Sequence, residues 1–182
     1  MNRKMPLIGL LGLLLSVGTA AAMDDDDERI TRLRPLAEQG DVASQAALGL
    51  LYSDGPGDAD QYREAAKWLR MAAEKGDAKA QRRLAWLYTA GHGVRRDFAE
   101  AAVWNRKAAE QGDVEAQFQL GLLYGMGRGV ARDPVAAYAW FDLAAGQGHE
   151  QADGSRAVMA ETMSPAQIAE AENRARAWAP RR

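Results

Sequence analysis

At 182 residues the chain has the length of one domain with a short extension. It contains no cysteine, which excludes disulfides, thiolate metal sites and cysteine nucleophiles. A formal net charge of −2, with 26% charged residues, excludes a strongly basic face, so nucleic acid is not an expected partner. Alanine supplies 37 residues and β-branched residues are few, which favours closely packed helices over sheets.

Residues 1–22 read as a cleaved signal peptide. Arg3 and Lys4 give a positive start, Leu7 to Val17 is an apolar run, and Thr19-Ala20-Ala21-Ala22 offers the small residues that a signal peptidase accepts. Cleavage after Ala22 predicts a mature chain beginning at Met23. The competing reading is a membrane anchor, but the apolar run is shorter than the ~20 residues that span hydrocarbon, so no stable membrane insertion is expected after cleavage. Residues 23–29 follow as an acidic segment. Asp24-Asp25-Asp26-Asp27-Glu28 places five carboxylates side by side, and their repulsion predicts a disordered stretch. A calcium or basic-partner site is the sharper alternative there, without a turn residue to fold the segment round an ion.

The rest of the chain repeats every 36 residues. Asp41–Gly76, Asp77–Gly112 and Asp113–Gly148 align without a gap and share twelve identical columns. These include Gln45/81/117, Leu48/84/120, Tyr52/88/124, Trp68/104/140 and Gly76/112/148. A fixed period of this size signals stacked units, each unable to bury its apolar face alone. Each unit reads as two helices. Asp41, Asp77 and Asp113 stand as N-caps of the first. The Gly55-x-Gly57 pattern and its counterparts break that helix. Asp97 and Asp133 open the second, the latter followed by Pro134. In the first unit Gln61 stands where those aspartates stand, so Asp60 is expected to cap instead, with a shifted loop. The three tryptophans, at one position in every unit, are expected to be core rather than a substrate clamp.

The pattern Gln-x-x-Leu-Gly-x-x-Tyr-x-x-Gly-x-Gly-Val-x-x-Asp, followed by Ala-x-x-Trp and Ala-Ala-x-x-Gly, resembles Sel1-like repeats, a tetratricopeptide-like family. Residues 117–148 match it throughout; the second unit departs at Ala85, where glycine is usual, and the first departs more. The resemblance implies an all-α fold: a right-handed α-solenoid of stacked helix-turn-helix repeats. Residues 30–40 would be an N-terminal half repeat, with Leu33, Leu36 and Ala37 ending a second helix that Pro35 shortens or kinks. Residues 41–76, 77–112 and 113–148 would be three full repeats. Residues 149–182 would be a C-terminal capping helix pair, the last helix starting at Ser164-Pro165-x-Gln167 and burying Ile168, Ala171, Ala175 and Trp178.

No catalytic constellation, cofactor motif or metal-ligand cluster stands out. His92 lies between Gly91 and Gly93 and reads as loop decoration; His149 begins the terminal unit, and neither has an orienting carboxylate in sequence. The resemblance also extends to cysteine-rich secreted members described as β-lactamase-like hydrolases. That activity is the weakest alternative, because this chain lacks the cysteines and any Ser-x-x-Lys.

Binding is what remains. On the first-helix wheel, the arc opposite the core holds positions 46, 47, 50, 53 and 54 and their equivalents. In tetratricopeptide-like stacks the first helices line the concave side, so the resemblance places that arc in a groove. Leu50, Trp86, Phe118, Leu122 and Met126 would form an apolar strip there, with Arg82 and Arg83 at one side and Gln119 among them. The other reading is that these residues pack on a neighbouring repeat or beneath a terminal helix. With the signal peptide, the resemblance implies a periplasmic, non-enzymatic protein-protein interaction module. Its partner would be an envelope signalling or assembly protein that it scaffolds or regulates. The alternative is an immunity protein that neutralises a secreted toxic effector.

Overall fold

A computed structural model describes residues 17–55 and 57–178, with side chains from Asp25 onward. The expected signal peptide lies outside the described residues over 1–16, and only the backbone is described over 17–24. Among the described residues there are nine helices and no strand. They are α1 (Val17–Glu38), α2 (Val42–Ser53), α3 (Ala59–Glu74), α4 (Ala78–Ala90), α5 (Phe98–Glu110), α6 (Val114–Met126), α7 (Pro134–Gly146), α8 (Ala152–Ala160) and α9 (Pro165–Trp178). Through α8 each helix packs on the next in chain order, and α9 packs back on α7. The result is a stack of helix pairs, α2/α3, α4/α5 and α6/α7, with extra helices at both ends.

The first helices start where a carboxylate takes up an orphan N–H. Asp41 accepts from Ser44 at 2.7 Å, Asp77 from Ala80 at 2.7 Å and Asp113 from Ala116 at 2.8 Å. Between units, Gly76 and Gly112 adopt φ of 98° and 91°, and the following aspartate N–H closes on the alanine carbonyl five residues back. The second helix of the first unit corrects the expected cap. Asp58, not Asp60, caps α3, and Gln61 completes a capping box by accepting from the Asp58 N–H at 3.0 Å. Glutamine suits that third position, so α3 starts three residues earlier in the repeat than α5 and α7 do.

Two side-chain columns tie the stack together. Gln45, Gln81 and Gln117 are almost fully buried and donate to the carbonyls of Ala37, Ala73 and Ala109 at 2.9–3.1 Å. Their Oε1 atoms accept from Lys75, Gln111 and Gln147, thirty residues on. Every polar atom of these buried amides is thereby engaged, the nitrogen across a unit boundary and the oxygen within its own unit, as burial demands. Tyr52, Tyr88 and Tyr124 accept from Arg34, Arg70 and Arg106.

Trp68, Trp104 and Trp140 are buried, as their repetition predicts. Trp68 and Trp104 donate to Glu64 and Glu100 one turn earlier. Trp140 has Ala136 at that place, and its Nε1 is unpartnered. The Trp178 ring of α9 stacks on it at 4.6 Å instead. Ala171 and Ala175 are buried on the same face of α9, with Ile168 beside them.

At the other end α1 departs from expectation. The acidic stretch, expected to be disordered, is helical over Asp25–Glu28. Its side chains project into water, where like charges are screened, and Arg29 pairs with Asp26 at 3.0 Å. Pro35 neither shortens nor ends α1, which runs on to Glu38. Ala37 and Leu33 pack toward Leu48 and Trp68, whereas Leu36 is exposed.

Candidate functional site

The middle of the stack carries a cleft of about 430 Å³ between α4 and α6, floored by α5. Arg82, Arg83, Trp86 and Thr89 line it from α4, Asn105 from α5, and Asp113, Val114, Glu115 and Gln119 from α6 and its cap. Four residues of the predicted groove, Arg82, Arg83, Trp86 and Gln119, therefore meet in one place. Trp86 is 39% exposed, a large amount for an indole in a stack this tightly packed.

The two arginines are held rather than free. Arg82 Nε lies 3.1 Å from Asp113 Oδ2, on the next unit. Arg83 reaches the other way: its Nε donates to the Ser53 hydroxyl at 2.8 Å, and its Nη2 lies 2.7 Å from Asp54. Its guanidinium also covers the Trp86 ring at 4.4 Å from the centroid. Glu115 accepts from Gln119 at 2.7 Å and lies 3.2 Å from His149 Nε2. The walls are thus charged but internally paired.

Phe118 corrects the predicted strip. It is buried, 5.7 Å from the Phe141 ring, and the His149 imidazole stacks on it at 4.2 Å. The column 46/82/118 faces the start of the following unit: Arg82 meets Asp113, and Phe118 meets His149, the same position one period later. Leu50 is half-buried against the core of α2–α5 and lines neither cavity. Leu122 and Met126 line a second cavity of about 450 Å³, with Phe141 of α7 and Val158 and Met159 of α8. The single strip expected from the helical wheel is therefore two clefts, separated where Phe118 turns inward.

Sequence reasoning missed two contributors. His92 is not loose decoration; its ring stacks on Tyr62 at 4.5 Å and lies 5.2 Å from Trp86. Gly93 brings the loop there: at φ 66° a methyl on it would sit 2.1 Å from the Tyr62 carbonyl oxygen, so only glycine permits the approach. Asn105 is the other. It is 2% exposed, and its Oδ1 has no hydrogen-bond partner. The signal for it was legible, because positions 69, 105 and 141 read Leu, Asn, Phe. Among the described residues no group of histidines and carboxylates is placed to hold a metal, and no helix is long and apolar enough to cross a membrane.

The comparisons bear out the repeats and the helical stack. The Sel1 repeat model matches residues 42–77, 78–113 and 114–149, one position out of step with the units defined by the aspartate caps. No curated protein matches the chain. Among solved structures, a protective antigen of uropathogenic Escherichia coli strains with an SLR fold is 39% identical, with a TM-score of 0.77. That match covers 82% of this chain and 32% of the antigen, so this chain spans about a third of its length. A Sel1 repeat protein from Oxalobacter formigenes is 41% identical over 70% of this chain and 96% of its own, with a TM-score of 0.60. Cysteine rich protein B of Helicobacter pylori shares the fold, with a TM-score of 0.56 at 24% identity, over 71% of this chain and 93% of its own. Three matched repeats, and a stack of helix pairs shared with these structures, make the chain a member of the Sel1 repeat family.

Proposed function

We propose that this protein is a non-enzymatic, periplasmic interaction module that holds a segment of a partner protein in the cleft between α4 and α6. The observation that carries the reading is the convergence of Arg82, Arg83, Trp86 and Gln119 on that cleft, with the Trp86 indole exposed. An indole with few rotatable bonds provides contact area at low entropic cost and is typical of interface anchors. A cleft of about 430 Å³ accommodates a short stretch of chain rather than the face of a folded domain. That size favours a scaffold or regulator of envelope machinery over an immunity protein, which must cover a folded toxin. Residues 1–22, read as a cleaved signal, supply the compartment.

The test is a phage-displayed library of random dodecapeptides panned on the full mature chain. A peptide retained by the wild type should bind Trp86→Ala about 30-fold more weakly, the ~2 kcal/mol of an anchor residue. If the library yields no binder, or Trp86→Ala binds every selected peptide as tightly, the reading falls.

A further inference from the structure

The middle unit breaks the repeat pattern at two linked columns. Positions 49, 85 and 121 are Gly, Ala, Gly; positions 69, 105 and 141 are Leu, Asn, Phe. A methyl built on Gly49 would meet the Leu69 side chain at 2.5 Å, and one on Gly121 would meet Phe141 at 2.6 Å. In the flanking units, then, a large apolar side chain from the second helix fills the space over a glycine. In the middle unit an alanine supplies the methyl and the second helix supplies Asn105.

Packing beside Ala85 calls for a side chain smaller than leucine, because the alanine methyl takes space that is open over Gly49, but it does not call for an amide. The amide is also costly: a buried carbonyl without a donor forfeits its hydration and gains nothing in return. Its Oδ1 is such a group, and the Asn105 side chain lines the cleft. The guanidinium groups around it are already matched. Arg82 is paired with Asp113 and Arg83 with Asp54, while the Glu115 carboxylate is engaged by Gln119 and His149. Both arginines are thus committed to carboxylates, which leaves no free cation to hold an anion and suits a neutral polar group. A side-chain amide offers one acceptor and two donors, the complement of a peptide unit.

We infer that Asn105 is the anchor for a main-chain amide of an extended peptide segment lying in the α4–α6 cleft. The inference rests on the protein-binding reading above and adds the group that grips the main chain. Trp86 packs against a neighbouring side chain of the same segment. Recognition through the main chain fixes the register of the segment while demanding little of its sequence.

The experiment uses a dodecapeptide selected on the wild-type chain and resynthesised with each amide in turn replaced by an ester. It is measured by calorimetry against the wild type and against Asn105→Leu made together with Ala85→Gly, which restores the glycine–leucine pair of the first unit. The variant should unfold as cooperatively as the wild type, since it repeats the glycine–leucine pair that positions 49 and 69 already hold. It should bind the parent peptide at least tenfold more weakly. One ester should weaken binding to the wild type about tenfold and leave binding to the double variant unchanged. If the double variant binds the parent peptide as tightly as the wild type while Trp86→Ala does not, the cleft stands and the role of Asn105 is overturned. An ester scan that affects both proteins equally overturns it as well. If the wild type retains no peptide, this inference and the proposed function both fail.

Discussion

Arg83 and Ser53 join two units of the stack: the guanidinium Nε donates to the serine hydroxyl at 2.8 Å, and Nη2 also reaches the Ser53 carbonyl. Ser53 is the last residue of α2 and is itself buried. The arginine thus satisfies the end of a helix in the preceding unit, where carbonyls lack intrahelical donors. Arg83→Ala should lower stability by about 1–2 kcal/mol, the range for a lost charge-assisted hydrogen bond in a half-buried site. Trp86→Ala, one turn along the same helix, should cost less, because its indole is exposed. Urea unfolding of both variants decides the order. Equal losses would mean that Arg83 contributes only through its contact with the indole.

Trp104 is only 8% exposed and donates to Glu100 at 3.2 Å. Trp104→Ala should cost roughly 3–5 kcal/mol through the void it leaves. That is a large share of the ~5–15 kcal/mol typical of a whole domain. Loss of helical signal at a clearly lower denaturant concentration is the expected outcome. A change under ~1 kcal/mol would show that the tryptophan column does not hold the units together.

Asp133 caps α7 and meets Arg174 of α9 at 3.0 Å. Burial pushes its carboxyl upward, but the Ala136 N–H and the Arg174 guanidinium together hold it below the ordinary carboxylate range. A depressed folded-state pKa stabilises the protein above the unfolded value of 3.8, and that stability is lost as pH falls through the folded value. Asp133→Asn keeps an N-cap oxygen and removes the charge. Its thermal midpoint should lie below that of the wild type at pH 7, and the gap should close as the pH drops below about 4. A gap that does not vary with pH would remove the ion pair from the account.

The compartment is tested at the N-terminus. Expressed from its own start in a bacterium with two membranes, the chain should be recovered from the periplasmic fraction with Met23 as its first residue. Recovery in the membrane pellet with Met1 intact would refute the signal peptide.

Much of this architecture was legible because the same physics is written three times. Asp113 and Trp140 each recur one and two periods earlier, so cap and core are readable from the sequence. What could not be read was where the repetition stops. Phe118 turns inward because the residue it meets, His149, lies just past the last full unit, where the aspartate cap has become an imidazole. The acidic stretch of α1 was misread because its charges were weighed without the helix that carries them. Asn105 was visible as an odd letter in a column, but its unpartnered oxygen required the structure.

The buried glutamines limit how such a chain can grow. Each amide donates to a carbonyl of the preceding unit and accepts from a side chain of its own, so one such bond crosses every join. A duplication or deletion of a whole 36-residue period leaves every amide matched, because each junction is interchangeable with the others. A shorter insertion or deletion within a helix shifts a glutamine off its partners and leaves it half-bonded inside the stack. Position 153, where the next glutamine would fall, is an exposed aspartate in α8, and there the series of amides ends. A change of one whole period therefore keeps every buried amide bonded and alters the length of the stack by one unit.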